Sequence, residues 1–279
     1  MTNNHSGIPA CTVEVVTPAA HRVTPRLAFF DFDGTVGLIR SGWMQVMIHQ
    51  ALEALRATGT HESEEELRHV VEEYVFRLTG KPTIYQMMAL TENVRKRGGV
   101  ALEPSEYKRL FLEALQEESE RRLNDVRGDE LGRDLHMVPG TRAVLEDLRR
   151  RGLRLYMVSG TDDALVQEEA KLFDIARYFD GGVYGSPGDD SDFSKRGLVE
   201  HVVEKGEAKG PEMLSFGDGH VELEAVKDFG GIAVGLATLE PECDRIDEWK
   251  RGRLIASGAD YIIPNYLCWD ELKEHLFAQ

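Results

Sequence analysis

The chain has 279 residues, with 33 Lys or Arg against 49 Asp or Glu and a formal net charge of −16. Hydrophobic residues make up 42% and charged residues 29%, the balance of a globular protein; the deficit of positive charge argues against an electrostatic grip on nucleic acid or an anionic membrane. Its three cysteines, Cys11, Cys243 and Cys268, are too few and too scattered for a disulfide framework or a CxxC metal site.

Residues 1–25 have no sustained period and read as a loose, flexible arm. They carry no basic segment followed by an apolar one, as a secretory signal would. No run in the chain approaches the roughly 20 apolar residues that span a bilayer, so a cytoplasmic protein is expected. The apolar run Leu27-Ala28-Phe29-Phe30 stops at Asp31-Phe32-Asp33-Gly34-Thr35. A short apolar run bounded by Gly suggests a strand buried on both faces, as in a parallel sheet.

The texture then turns helical, with segments expected at 42–57, 63–79, 83–97 and 104–126. Leu67, Val70, Val71, Tyr74, Val75 and Leu78 form one apolar stripe at helical spacing. Gly59, Gly80-Lys81-Pro82 and Gly98-Gly99 break the segments, and Pro82 and Pro104 suit first-turn positions. The run Glu64-Glu65-Glu66 reads as a solvated helix face, and Arg149-Arg150-Arg151 as a favourable helix C-terminus. After Pro139-Gly140, helices (141–151, 162–173, 195–205, 221–229, 244–257, 268–277) alternate with strands (153–158, 182–184, 213–216, 231–236, 260–263). This alternation implies an α/β fold with a Rossmann-like parallel sheet, interrupted after its first strand by an all-helical insert. The expected organisation is an arm over 1–25, a core of 26–35 plus 136–279 and a helical cap over 36–135, with hinges near 36–42 and 127–137.

Ligands of open parallel sheets bind beyond the carboxyl ends of the strands. The first strand ends in Asp31 and Asp33, another in Ser159-Gly160-Thr161, and a third in Gly217-Asp218-Gly219, with Glu222 one turn on. Converging carboxylates repel one another unless a cation joins them, and oxygen donors without thiolates suit a hard ion, foremost Mg2+. The Gly and hydroxyl groups at 159–161 precede a helix, where backbone N–H groups can meet a phosphate. Lys195, opening a helix after the polar loop 185–194, can add a compact positive charge. His220, beside Asp218, reads as a surface or capping residue.

Phe30-Asp31-Phe32-Asp33-Gly34-Thr35 resembles motif I of the haloacid dehalogenase-like (HAD) superfamily of phosphohydrolases. The strand ending in Ser159 resembles motif II, Lys195 the motif III lysine, and Gly217-Asp218-Gly219-His220-Val221-Glu222 motif IV, all in the family's order. The insert after motif I resembles the C1-type cap of the phosphoglycolate phosphatase and β-phosphoglucomutase branch. This resemblance implies that Asp31 attacks phosphorus to form an aspartyl-phosphate, while Asp33 protonates the leaving oxygen and then activates water. It also implies Mg2+ held by Asp31, the Asp33 backbone carbonyl and Asp218, with the longer Glu222 acting at one remove. Ser159, Gly160 and Lys195 would hold the phosphate, and Arg196 is a rival to Lys195. Cap closure would exclude water, with Arg40, Lys81 and Gln86 as substrate-facing candidates. The partner expected is a small phosphorylated metabolite (a sugar phosphate, a phosphoglycolate-like acid or a nucleotide), with no nucleic acid or membrane; the sequence sets no oligomeric state. A β-phosphoglucomutase-type phosphomutase is the alternative, as is a phosphonate hydrolase, which would need a Schiff-base lysine such as Lys81. A regulatory binding module on the same fold is disfavoured because no catalytic motif is missing.

Overall fold

The computed structural model of the chain describes residues 12–18, 24–79, 81–187 and 194–277. Cys11, Gly80 and most of the polar loop before Lys195 lie outside the described residues. Strand β1 is Glu14–Val15 and β2 is Leu27–Phe30. Helices α1 (Trp43–Arg56), α2 (Glu64–Arg77), α3 (Thr83–Lys96), α4 (Pro104–Gly128) and α5 (Glu130–Leu135) follow. Then come α6 (Thr141–Arg150), β3 (Arg154–Asp162), α7 (Asp163–Leu172), β4 (Gly182–Ser186), α8 (Lys195–Glu204), β5 (Met213–Gly217) and α9 (Val221–Asp228). The chain closes with β6 (Ile232–Leu236), α10 (Glu248–Ala256), β7 (Tyr261–Ile263) and α11 (Trp269–Leu276).

The strands form one sheet in the order β1-β7-β6-β5-β2-β3-β4, parallel throughout except for β1. All four residues of β2 are buried, which is why its sequence is uniformly apolar rather than alternating. Their side chains still divide by face. Ala28 and Phe30 pack into one core with residues of α6, α7 and α11, while Leu27 and Phe29 pack into another with residues of α8 and α9. The first core is tied across the sheet by Phe30 and Phe216, whose rings stack with centroids 4.5 Å apart.

Helices α1–α4 build a separate core from Met47, Leu52, Leu55, Val71, Tyr74, Leu90 and Phe111. Contacts at several places hold the cap to the sheet domain and fix the chain that joins them. Lys108 of α4 pairs with Asp162 at 2.7 Å. Arg122 donates to the carbonyl oxygens of Ile39 and Ser41, each at 2.8 Å, which fixes the chain entering the cap. The Phe76 ring lies 4.0 Å from Trp249, and Arg253 donates to the Phe76 carbonyl.

Three local differences from the sequence expectation have physical causes. Glu14–Val15, read as part of a loose arm, pairs antiparallel with β7, and Glu14 accepts from Arg251 at 2.5 and 2.6 Å. Strand β3 runs past Ser159 to Asp162 because a register shift lets it pair again with β4 at Ser186. Helix α10 starts only at Glu248, where Asp247 caps the N–H groups of Trp249 and Lys250; the preceding stretch contains Cys243 at φ 55 and pairs Thr238 with Ile246. Glu66 is exposed, in line with its reading as part of a solvated face, and it also completes a capping box with Ser63 at the start of α2. Helix α5, which the periodicity did not suggest, occupies the expected second hinge region.

Phe216 is fully buried between Phe30 and Tyr266. Phe216→Ala is expected to destabilise the protein by roughly 3–5 kcal/mol, measured by urea denaturation.

Candidate active site

The site is a consequence of strand order. Strand β2 lies between β3 and β5 and runs parallel to both, so Asp31, Ser159 and Asp218 leave the sheet along one edge. The turn after β2 is tight: Val36 and Gly37 both donate to the Phe32 carbonyl, at 2.8 and 2.9 Å. Gly34 has φ +72, and a Cβ there would lie 2.4 Å from Asp218 Oδ2. Glycine is therefore required both by the backbone conformation and by the approach of the Asp218 carboxylate. Thr35, buried in the same turn, accepts from the Asp218 N–H at 3.0 Å and locks the two loops together.

Asp31 is 6% exposed, and its Oδ2 lies 2.7 Å from Lys195 Nζ. Lys195 also pairs with Glu222 at 2.9 Å, and Glu222 accepts from the Gly219 N–H at 3.3 Å. Glu222 thus sits behind the lysine and holds it toward Asp31. Burial alone would pull the Lys195 ammonium down, but Asp31 and Glu222 hold it above the ordinary lysine range. Burial raises the Asp31 carboxyl, with Lys195 opposing. Arg196, the rival cation, pairs with Glu200 and Asp228 away from this cluster.

Asp33 is held at both oxygens. Arg40 Nη1 donates to Oδ1 at 2.9 Å, and the Thr161 hydroxyl donates to Oδ2 at 2.7 Å. Arg40 in turn makes two bonds to buried Glu169 of α7, at 2.8 and 2.5 Å. Arg40, which the sequence suggested as a substrate-facing residue, lines the cavity, and its guanidinium is also tied to two carboxylates. Burial raises Glu169 to about 6, against the pull of Arg40. Ser159 accepts from the Thr161 N–H at 3.0 Å and lines the cavity with Gly160.

On the other side, Asp218 Oδ2 pairs with Lys250 Nζ at 2.9 Å, and Lys250 reaches Glu240 at 2.5 Å. The second Glu240 oxygen accepts from the Ser41 hydroxyl at 2.8 Å. Burial raises the Asp218 carboxyl, while Lys250 opposes. His220 does not cap α9, and its buried Nδ1 has no hydrogen-bond partner.

A cavity of about 100 Å³ lies over Asp31, Asp33, Ser159, Lys195 and Asp218. Its cap side is formed by Trp43, Phe111, Leu112 and Leu115, together with Lys81, Thr83 and Gln86. Lys81 is exposed at the rim. Gln86 is buried, and its amide donates to the Val75 carbonyl at 3.3 Å. Thr161, Glu169, Glu240 and Lys250 were not picked out as site residues from the sequence. Thr161 lies in the 159–161 segment that was, but no motif spacing marks the other three.

The donor set fits a divalent cation. Three ion-pair groups flank the site, each with one cation between two carboxylates: Arg40 with Asp33 and Glu169, Lys195 with Asp31 and Glu222, and Lys250 with Asp218 and Glu240. Among the described residues, no three acidic, histidine or cysteine side chains close on a single point, because Asp31 and Asp218 are turned onto their lysines. The acidic excess, the oxygen-only chemistry and the close approach allowed by Gly34 all suit a hard ion.

A family model for haloacid dehalogenase-like hydrolases matches residues 25–230. A comparison with curated protein sequences finds no match. Among solved structures, a predicted phosphoglycolate phosphatase from Haemophilus somnus is similar, at 17% identity over 91% of this chain and 100% of that one, with a TM-score of 0.57. A β-phosphoglucomutase from Clostridium difficile is 11% identical over 91% of this chain and 97% of that one, with a TM-score of 0.57. A phosphonoacetaldehyde hydrolase-like protein from Oleispira antarctica is 12% identical over 92% of this chain and 94% of that one, with a TM-score of 0.60. At these identities the structural likenesses speak for the fold.

Glu169 shifts from 4.5 to about 6 on folding, so between those values the folded protein holds a proton that the unfolded chain releases. Its contribution to stability must then fall as pH rises through that window. Asp31 and Asp218, raised by burial, add slope of the same sign. Glu169→Gln is expected to flatten the pH dependence of stability between pH 4.5 and 6 without abolishing it, as read by urea denaturation at a series of pH values.

Proposed function

The chain belongs to the haloacid dehalogenase-like hydrolase family, and within it we propose a Mg2+-dependent phosphatase that hydrolyses a small phosphorylated metabolite through an aspartyl-phosphate. The observation that carries this reading is Asp31, buried at a strand end, with a lysine on one oxygen, a second carboxylate two residues on and a cavity above.

Asp31 Oδ attacks phosphorus, and the P–O bond to the leaving alcohol breaks. Asp33, two residues on, gives its proton to the leaving oxygen. It then takes a proton from the water that attacks the aspartyl-phosphate, which frees inorganic phosphate and restores Asp31. Arg40 and Thr161 aim the Asp33 carboxyl, and one of those two contacts opens when Asp33 transfers a proton. Lys195, kept charged by Glu222, faces the negative charge that grows on the phosphoryl oxygens. Ser159 and the Gly160 N–H face the same oxygens. Asp31, the Asp33 carbonyl and Asp218 would hold Mg2+, which supplies charge neutralisation to a dianionic substrate in an acidic site. The cap wall of Trp43, Phe111, Leu112 and Leu115 shields this chemistry from water, and the small cavity favours a compact leaving group.

With Mg2+ present, the wild type is expected to release phosphate from an aryl phosphate and from at least one member of a panel of phosphorylated metabolites. Asp31→Asn should abolish release, and Asp33→Asn should lower turnover by about 10²–10⁴-fold. Undiminished turnover by Asp31→Asn would refute the nucleophile. Isomerised sugar phosphate in place of free phosphate would instead identify a mutase.

A further inference from the structure

Lys250 and Glu240 belong to none of the motifs that mark the site, yet they reach its centre. Lys250 is the third residue of α10, placed there by the Asp247 cap. Its side chain is 11% exposed, and its ammonium bridges Asp218 Oδ2 and Glu240 Oε1 at 2.9 and 2.5 Å. A Cβ on Gly34 would lie 2.4 Å from the same Asp218 oxygen and 2.9 Å from the same Glu240 oxygen, so both press against the nucleophile loop. Glu240 is fixed independently by the Ser41 hydroxyl on its other oxygen.

We propose that Lys250 competes with the divalent cation for Asp218, and that Glu240 is the anchor onto which it withdraws, so that this pair sets the affinity of the site for the cation. The inference rests on the reading that a cation binds at Asp31 and Asp218. An oxygen held by an ammonium at 2.9 Å is not free to ligate, and two cations a few ångströms apart repel strongly where water is scarce. A lysine has a compact charge on a flexible stem, so it can release Asp218 while keeping Glu240. Lys250 acts here as a positioning residue: it holds Asp218 in place before the cation arrives, and the need to displace it makes binding weaker than the carboxylates alone would allow.

The test is direct titration of the full chain with Mn2+, counting free ion by electron paramagnetic resonance, with no substrate present. Lys250→Met is expected to bind Mn2+ at least about tenfold more tightly, and Glu240→Gln at least about fivefold more weakly, because its lysine then has only Asp218. The double variant Glu240→Gln/Lys250→Met should bind as tightly as Lys250→Met, since Glu240 acts only through the lysine. It also removes both charges together, which keeps the test available if Lys250→Met alone fails to fold. Three results would overturn the inference alone: Lys250→Met binding no more tightly than wild type, a double variant equal to wild type (two independent charges), or a double variant as weak as Glu240→Gln (Glu240 itself a ligand). Absence of any Mn2+ binding by the wild type would overturn the cation reading and this inference with it.

Discussion

The buried ammonium of Lys195, 2.7 Å from Asp31 and 2.9 Å from Glu222, is the contact that holds the carboxylates at the centre of the sheet edge together. A parallel sheet delivers its strand ends to one edge, and here that delivers carboxylates. Packed together out of water they would take up protons, and a protonated Asp31 could not serve as the nucleophile proposed above. Lys195 opposes that tendency from a helix that is remote in sequence from β2. Glu222 keeps the lysine charged and pointed, and Gly219 keeps Glu222 in place. Each of these buried charges has a partner, and each cation is shared between two carboxylates, which leaves the site acidic.

The same sharing links the cap to the site. The chain enters the cap through consecutive residues, Arg40 and Ser41, whose side chains serve opposite flanks. Arg40 holds Asp33 together with Glu169, and Ser41 holds Glu240, which in turn holds Lys250 on Asp218. Arg122, from the far end of the cap, fixes the carbonyl of Ser41 and that of Ile39. The position of the hinge and the orientation of the carboxylates are therefore parts of one hydrogen-bonded network, so a change at the hinge is felt at both Asp33 and Asp218.

Much of this was legible in the sequence because it depends on local physics. The uniform burial of β2 shows in Leu27-Ala28-Phe29-Phe30, and the helical insert shows in its apolar stripes. Strand ends followed by Asp, or by Ser and Gly, show where a ligand would sit. Lys195 could be named from its place before a helix, with Arg196 next to it as a rival; the fold turns the first inward and pairs the other with Glu200 and Asp228. Strand β1 was not legible, since two residues carry no period, and its pairing with β7 spans nearly the whole chain.

Order along the chain, element type and the chemistry of each strand end were thus determined by the sequence itself, because periodicity and turn residues act over a few positions. Which side chains meet was decided by the tertiary structure. Arg40 reads as a substrate-facing candidate near the hinge, and its pairing with Glu169, on another helix, appears only in the fold. Glu240 and Lys250 carry no signal in the sequence, and the open turn at Gly34 and the late start of α10 bring them to Asp218. The opposition of carboxylates and cations at the site is a property of distances across the sheet, and distances between remote residues exist only once the sheet has closed.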